Sequence, residues 1–274
     1  MKIERKYKLF KPKLPCLKLP CFSFEWEILI FEKVRAEVMC TVTIVPLPES
    51  PEGFVLTSNR DEAVLRKTHP PEIYSEGGSQ LLYPKDSEAG GSWIGLSDRK
   101  RTICLLNGGF RKHLRNPPYR KSRGLVVKEF LAARDFLEMA EDYEFEGIEP
   151  FTMVVAEYEQ QLRLLELVWD GSNIHLKYLP QQPGIWSSSL LYSPEEIERR
   201  KQKFETFEKN HSLTSENLLK FHSSGGDLGE EGLIIDRGFL KTCSITQIIN
   251  GPSGARMWYR DLETEEVTER FLKW

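Results

Sequence analysis

The order in which strand-like and helix-like segments follow one another constrains this chain more than any single motif. Cys40–Pro46 and Gly53–Ser58 are rich in β-branched residues and are separated by Leu47–Glu52, which reads as a hairpin. An apolar strand over Thr102–Leu106 follows. Ser122–Tyr143 then repeats apolar residues near helical spacing, at Leu125, Val126, Phe130, Leu131, Phe136, Leu137 and Met139. Phe151–Ala156, Leu162–Trp169 and Ile174–Leu179 return to strand character between turn elements. Ser193-Pro194-Glu195-Glu196 is a capping box that launches a helix to about Asn210, with Glu195/Arg199 and Glu196/Arg200 as i,i+4 pairs. A shorter helix over Ser215–His222 precedes the closing strands Lys241–Ile249, Ala255–Asp261 and Val267–Phe271. Strands, helices, strands, helices and strands again do not fit a βαβ repeat. The expected class is α/β (α+β), a four-layer αββα sandwich of two antiparallel sheets flanked by helices, formed as one domain over residues 39–274.

Residues 1–38 stand apart. They carry nine Lys/Arg against five Glu, a balance of +4, so the remaining residues hold −7 of the net −3. An acidic body lacks the basic surface of a nucleic-acid binder. Pro12, Pro15 and Pro20 with Lys18 interrupt any apolar centre of an export signal, and no run approaches the length of a membrane span. The segment reads either as a disordered basic tail or as translated sequence ahead of the functional start, and is expected not to pack on the domain. Five cysteines, odd in number and without Cys-x-x-Cys spacing, point to a reduced, cytoplasmic setting with no structural metal. No Gly-rich phosphate loop occurs, so no nucleotide and no other cofactor is expected.

Closing the hairpin with Pro46 opposite Gly53 sets Cys40 opposite Asn59 and beside Asn59-Arg60-Asp61-Glu62. An Arg near a Cys favours thiolate, and a carboxylate can hold an ammonium. With Met39-Cys40 and Asn59–Glu62 in this arrangement, the chain resembles the NRDE family of the transport-and-Golgi-organisation type, related in fold to N-terminal-nucleophile hydrolases. The likeness continues through Gly90-Gly91-Ser92-Trp93-Ile94-Gly95, Leu105-Leu106-Asn107-Gly108-Gly109, Ser122-Arg123-Gly124-Leu125-Val126 and Ser187-Ser188-Ser189-Leu190-Leu191.

That resemblance implies a nucleophile at Cys40 whose own α-amine is the base, hence a chain that starts at Cys40 once residues 1–39 are gone. It also implies an Asn that donates to a tetrahedral oxyanion, for which Asn107 is the candidate; an ordinary Asn-Gly turn is the alternative reading. Arg60 and Asp61 would orient amine and thiol, or be a hairpin-end ion pair. The chain departs from the family at Ser189, where relatives carry Asn, and at Thr242-Cys243-Ser244, where they carry a Thr-Arg-Ser-like string. A second oxyanion donor and a second Arg are thereby in question. His69, His113, His175, His211 and His222 are scattered and read as incidental. Arg111, Lys112, Arg115, Arg120, Lys121 and Arg123 form a basic cluster that is either a solvated loop or an attractor for an anionic substrate end. The expected function is hydrolysis of a linear amide or related acyl bond of a small molecule. The rival is non-enzymatic binding or transfer of a hydrophobic small molecule of the haem or acyl-CoA type.

Overall fold

The computed structural model describes residues 39–159, 161–225 and 232–274, and the expectations for residues 1–38 lie outside them. Thirteen strands and four helices are present among the described residues. One sheet has six strands. In spatial order these are β10 (Gly184–Ser187), β1 (Met39–Pro46), β2 (Phe54–Ala63), β11 (Leu240–Gly251), β12 (Gly254–Asp261) and β13 (Val267–Lys273). The other has seven strands in sequence order: β3 (Thr68–Glu76), β4 (Ser79–Asp86), β5 (Ile94–Ser97), β6 (Arg101–Asn107), β7 (Phe151–Glu157), β8 (Arg163–Trp169) and β9 (Ile174–Leu179). Every pairing is antiparallel.

Alternation along the strands produces the layers. Val42, Ile44, Phe54 and Leu56 of the first sheet meet Leu82, Leu96, Cys104 and Leu106 of the second in one buried core. On the far side of the second sheet, Ile103, Leu105 and Met153 pack on Val126, Val127, Phe130 and Leu131 of α1 (Arg123–Ala132) and Phe136 and Ala140 of α2 (Phe136–Asp142). On the far side of the first sheet, Val45 and Val55 meet Phe204 of α3 (Pro194–Asn210) and Leu218 and Phe221 of α4 (Ser215–His222). The protein is therefore the αββα sandwich that the segment order predicts.

Local differences from the sequence reading have identifiable causes. Ser122–Tyr143 is two helices, because Ala133 leaves helical geometry to end the first and Asp135 caps the second, accepting from the Leu137 and Glu138 N–H groups. The Ser193/Glu196 capping box is present, but Glu196 meets Arg237 at 3.5 Å and Arg200 turns inward to Thr41, so Glu196/Arg200 is not a surface pair. Strands β3, β4, β5 and β10 have no counterpart in the sequence reading. β3 contains Pro70 and Pro71 and is mostly exposed, which only an edge strand tolerates.

The hairpin register is shifted by one residue. Cys40 lies opposite Arg60, not Asn59, and Pro46 opposite Phe54. Pro46 has no N–H to give, so Leu47 supplies the closing bond, donating to the Gly53 carbonyl at 2.9 Å. A one-residue slip exchanges faces. Cys40 and Arg60 consequently share the face between the sheets, whereas Thr41, Asn59 and Asp61 face the helices α3 and α4.

Candidate active site

Cys40 is the second residue of β1, with its side chain in the inter-sheet core, 1% exposed. Burial pushes its thiol well above the ordinary range, with Cys104 and Asp61 acting in the same direction and Arg60 opposing them. Cys104, facing it from β6, is pushed up to about 12 by burial and contacts Ser58 Oγ at 3.5 Å. As long as the Cys40 nitrogen is a peptide amide, this thiol is a neutral core group. A free amine at that position would change both its base and its solvation.

Arg60, opposite Cys40, is 1% exposed and fixed from two sides. Its Nη2 donates to Glu62 Oε2 at 3.1 Å and to Asp86 Oδ2 at 2.9 Å, and its guanidinium lies 4.6 Å over the Trp93 ring. Arg66 completes the group, donating from Nε to Asp86 Oδ2 at 2.7 Å. Burial alone would raise the Asp86 carboxyl, but the Arg66 hydrogen bond and the two guanidinium charges hold it below its ordinary value. Glu62, more deeply enclosed, is raised by burial in spite of Arg60 and Arg66. An ion-pair network of this kind costs desolvation to assemble, and removing one member strands the others.

Asn107 ends β6 and is tied to Cys40 through one residue. Ser188 donates its backbone N–H to the Cys40 carbonyl at 3.1 Å and its hydroxyl to the Asn107 carbonyl at 2.6 Å. Ser189 continues the seam, donating to the Gly109 carbonyl at 2.7 Å. Gly108 sits at φ +89°, and a Cβ there would lie 2.5 Å from Ser189 Oγ, so only glycine lets the turn close on the serine string. The second close approach joins Gly91 to Gly124 at the start of α1. A Cβ on Gly91 would meet the Gly124 carbonyl carbon at 2.4 Å. Around this contact opens a cavity of about 70 Å³, lined by Arg60, Arg66, Asp86, Ser92, Trp93, Leu105, Asn107, Ser122 and Arg123 with neighbouring small residues. Cys40 and Asp61 do not line it.

Asp61 belongs to a different enclosure. Its Oδ1 accepts from Thr242 at 2.6 Å and its Oδ2 from Tyr192 at 3.1 Å, and burial raises it to about 6 in spite of those hydrogen bonds and of Arg200. Arg200 donates to Thr41 at 2.7 Å and lies 3.9 Å over the Tyr192 ring. Beside them His222 bridges Asn59 Oδ1 at 2.6 Å and Thr43 Oγ1 at 2.8 Å, and burial, then Arg200, lowers it to about 3. The basic cluster is also more than a solvated loop: Arg115, Arg123 and His113 converge on buried Glu149, and burial lowers Arg123 to about 10. Thr242-Cys243-Ser244 forms a bulge in β11 opposite Arg60 and Asp61.

A family model described as Transport and Golgi organisation 2 matches residues 39–225. The chain belongs to this family. No curated protein matches the chain. Among solved structures, it is similar to the Caenorhabditis elegans N-acylethanolamine-hydrolyzing acid amidase ortholog at 11% identity, with 76% of this chain and 92% of that chain covered and a TM-score of 0.52. It also matches a mutant conjugated bile acid hydrolase from Clostridium perfringens at 8% identity, covering 85% of this chain and 92% of that one, with a TM-score of 0.49. The first likeness shows the fold alone: this Transport and Golgi organisation 2 member shares its αββα sandwich with that amidase.

Of the residues singled out in the sequence, Arg60 and Asn107 share the cavity, Cys40 reaches both through the Arg60 pairing and the Ser188 bridge, and Asp61 is turned to the other side of its sheet. Arg66, Asp86 and Ser188 join the site without a site motif in the sequence. Ser188 lies in the serine string Ser187-Ser188-Ser189. Asp86 has no local pattern that marks it, because it ends β4 while its partners Arg60 and Arg66 come from β2 of the other sheet and from the loop after it.

Proposed function

We propose that this family member, once its chain begins at Cys40, hydrolyses a linear amide or related acyl bond of a small molecule. The observation that carries the reading is the position of Cys40: at the head of an inner strand of an αββα sandwich, paired with Arg60 and linked by Ser188 to Asn107. In this reading the freed amine takes the thiol proton, the thiolate attacks the acyl carbon, and Asn107 donates to the oxyanion. The proton returns to the leaving group, and water then releases the acyl group from the thioester. Asp61 enters through the register, which places it opposite Met39, the last residue to be removed. Arg60 opposes the burial that otherwise keeps the thiol protonated.

The test compares the 274-residue chain with one expressed to begin at Cys40 after loss of the initiator Met39, against a panel of fatty N-acyl amides. Turnover confined to the shorter form and abolished by Cys40→Ala is expected. Turnover that survives Cys40→Ala overturns the mechanism. A specific observation favours a second reading for the longer form: its thiol is 1% exposed and its nitrogen is acylated. That form would bind a hydrophobic small molecule without turning it over, and equal binding by both forms with no turnover by either would establish the carrier.

A further inference from the structure

We infer that the cavity beside Arg60 and Trp93 is a subsite for a carboxylate, the anionic end of a small organic acid or of an acyl substrate. Two observations meet there. Arg60 Nε and Trp93 Nε1 are both buried, and among the described residues neither has a hydrogen-bond partner. Both residues line the same cavity, with the Arg60 guanidinium stacked over the Trp93 ring. Buried N–H donors are seldom left unpaired, since the desolvation they suffer is not returned.

The lining sets the chemistry of the occupant. Three arginines, Arg60, Arg66 and Arg123, line the cavity with one acidic residue, Asp86. Glu62 and Glu149 hold the arginines from behind, which keeps them in place without filling the cavity. The two unpaired N–H groups call for an occupant that only accepts, which a carboxylate does and a neutral amide, half donor, does not. Two donors on adjacent groups suit the two oxygens of one planar carboxylate. A phosphate would need more donors and more room. At about 70 Å³ the cavity is far smaller than the roughly 300–1,000 Å³ that encloses a whole ligand. It holds a head group, and the rest of the molecule must extend outward. Asn107 lines the same cavity, so a molecule seated by its carboxylate lies against the turn that Ser188 ties to Cys40.

The inference goes beyond hydrolysis and does not rest on it, since a carrier would use the same head-group site. It is tested on the 274-residue chain, in which Cys40 has no free amine, by following the tryptophan indole N–H resonances of 15N-labelled protein. The Trp93 signal is assigned from its loss in Trp93→Phe. Titration with hexanoate is expected to shift that signal, hexanamide and inorganic phosphate are expected to leave it in place, and Trp93→Phe should bind hexanoate about tenfold more weakly by calorimetry. A Trp93 resonance unmoved by hexanoate, or moved equally by hexanamide or phosphate, overturns the assignment. If Trp93→Phe does not fold, Trp93 is assigned by triple-resonance methods and its shift in the unaltered chain decides. Failure of turnover by the chain beginning at Cys40 leaves this result unaffected, so the two readings fail separately.

Discussion

Replacing Asp61 by Asn should make the protein less sensitive to rising pH. Asp61 is fully buried between Thr242, Tyr192 and Arg200, and its carboxyl is raised from 3.8 to about 6, chiefly by burial. Above the unfolded value the unfolded chain releases this proton while the folded chain still holds it, so stability is greatest in acid and declines as pH rises through about 6. A shift of about two units corresponds to about 3 kcal/mol between the two limits. Asn is neutral and nearly isosteric; its oxygen can accept from Thr242 and its amide can donate to the Tyr192 oxygen. Urea unfolding of both proteins from pH 3.5 to 7.5 isolates the group, because titrations elsewhere are common to both. The unmodified protein should lose about 3 kcal/mol relative to Asp61→Asn across that range. A constant difference, or one that moves the other way, would show that Arg200 and Arg237 dominate the carboxylate and that burial does not.

Gly91→Ala places a methyl group 2.4 Å from the Gly124 carbonyl carbon, and backbone on both sides of the contact leaves little that can move. A loss of about 2–3 kcal/mol in chemical unfolding is expected, and a neutral result would mean that the contact between the β4–β5 loop and the start of α1 can open to admit a methyl group. Ser188→Ala removes the hydroxyl bond to the Asn107 carbonyl. It should cost about 1 kcal/mol, read as a melting-point drop of roughly 2–4 °C. In the chain beginning at Cys40 it should lower turnover more than substrate binding.

The legible and illegible parts of this protein divide by the range of the interactions involved. The capping box at Ser193 and Glu196 and the turn chemistry between β7, β8 and β9 act within a few residues, and those elements lie where the pattern places them. α1 and α2 look like one helix because their apolar spacing runs on through the break, which the extended Ala133 and the cap at Asp135 make. β3 carries two prolines and an exposed face, so neither periodicity nor propensity marks it; pairing with β4 makes it a strand. The site shows the same division. Its motif strings are visible individually, but that Arg60, Trp93, Asn107 and Arg123 line one cavity is a consequence of sheet stacking.

Alternation along β2 explains why the four residues Asn59-Arg60-Asp61-Glu62 cannot act as a single cluster, and the one-residue hairpin shift decides that Cys40 shares a face with Arg60 and Glu62. In an extended strand successive side chains leave opposite faces. Arg60 and Glu62 therefore enter the space between the sheets, where Asp86 and Trp93 wait, while Asn59 and Asp61 enter the layer under α3 and α4, where His222, Tyr192 and Thr242 satisfy them. One short string thus fixes both surfaces of the strand that pairs with Cys40. Substitution of Arg60 or Glu62 perturbs the cavity directly. Substitution of Asn59 or Asp61 acts on the same strand from behind, through the helices, so its effect on chemistry at Cys40 must travel through backbone position and long-range charge.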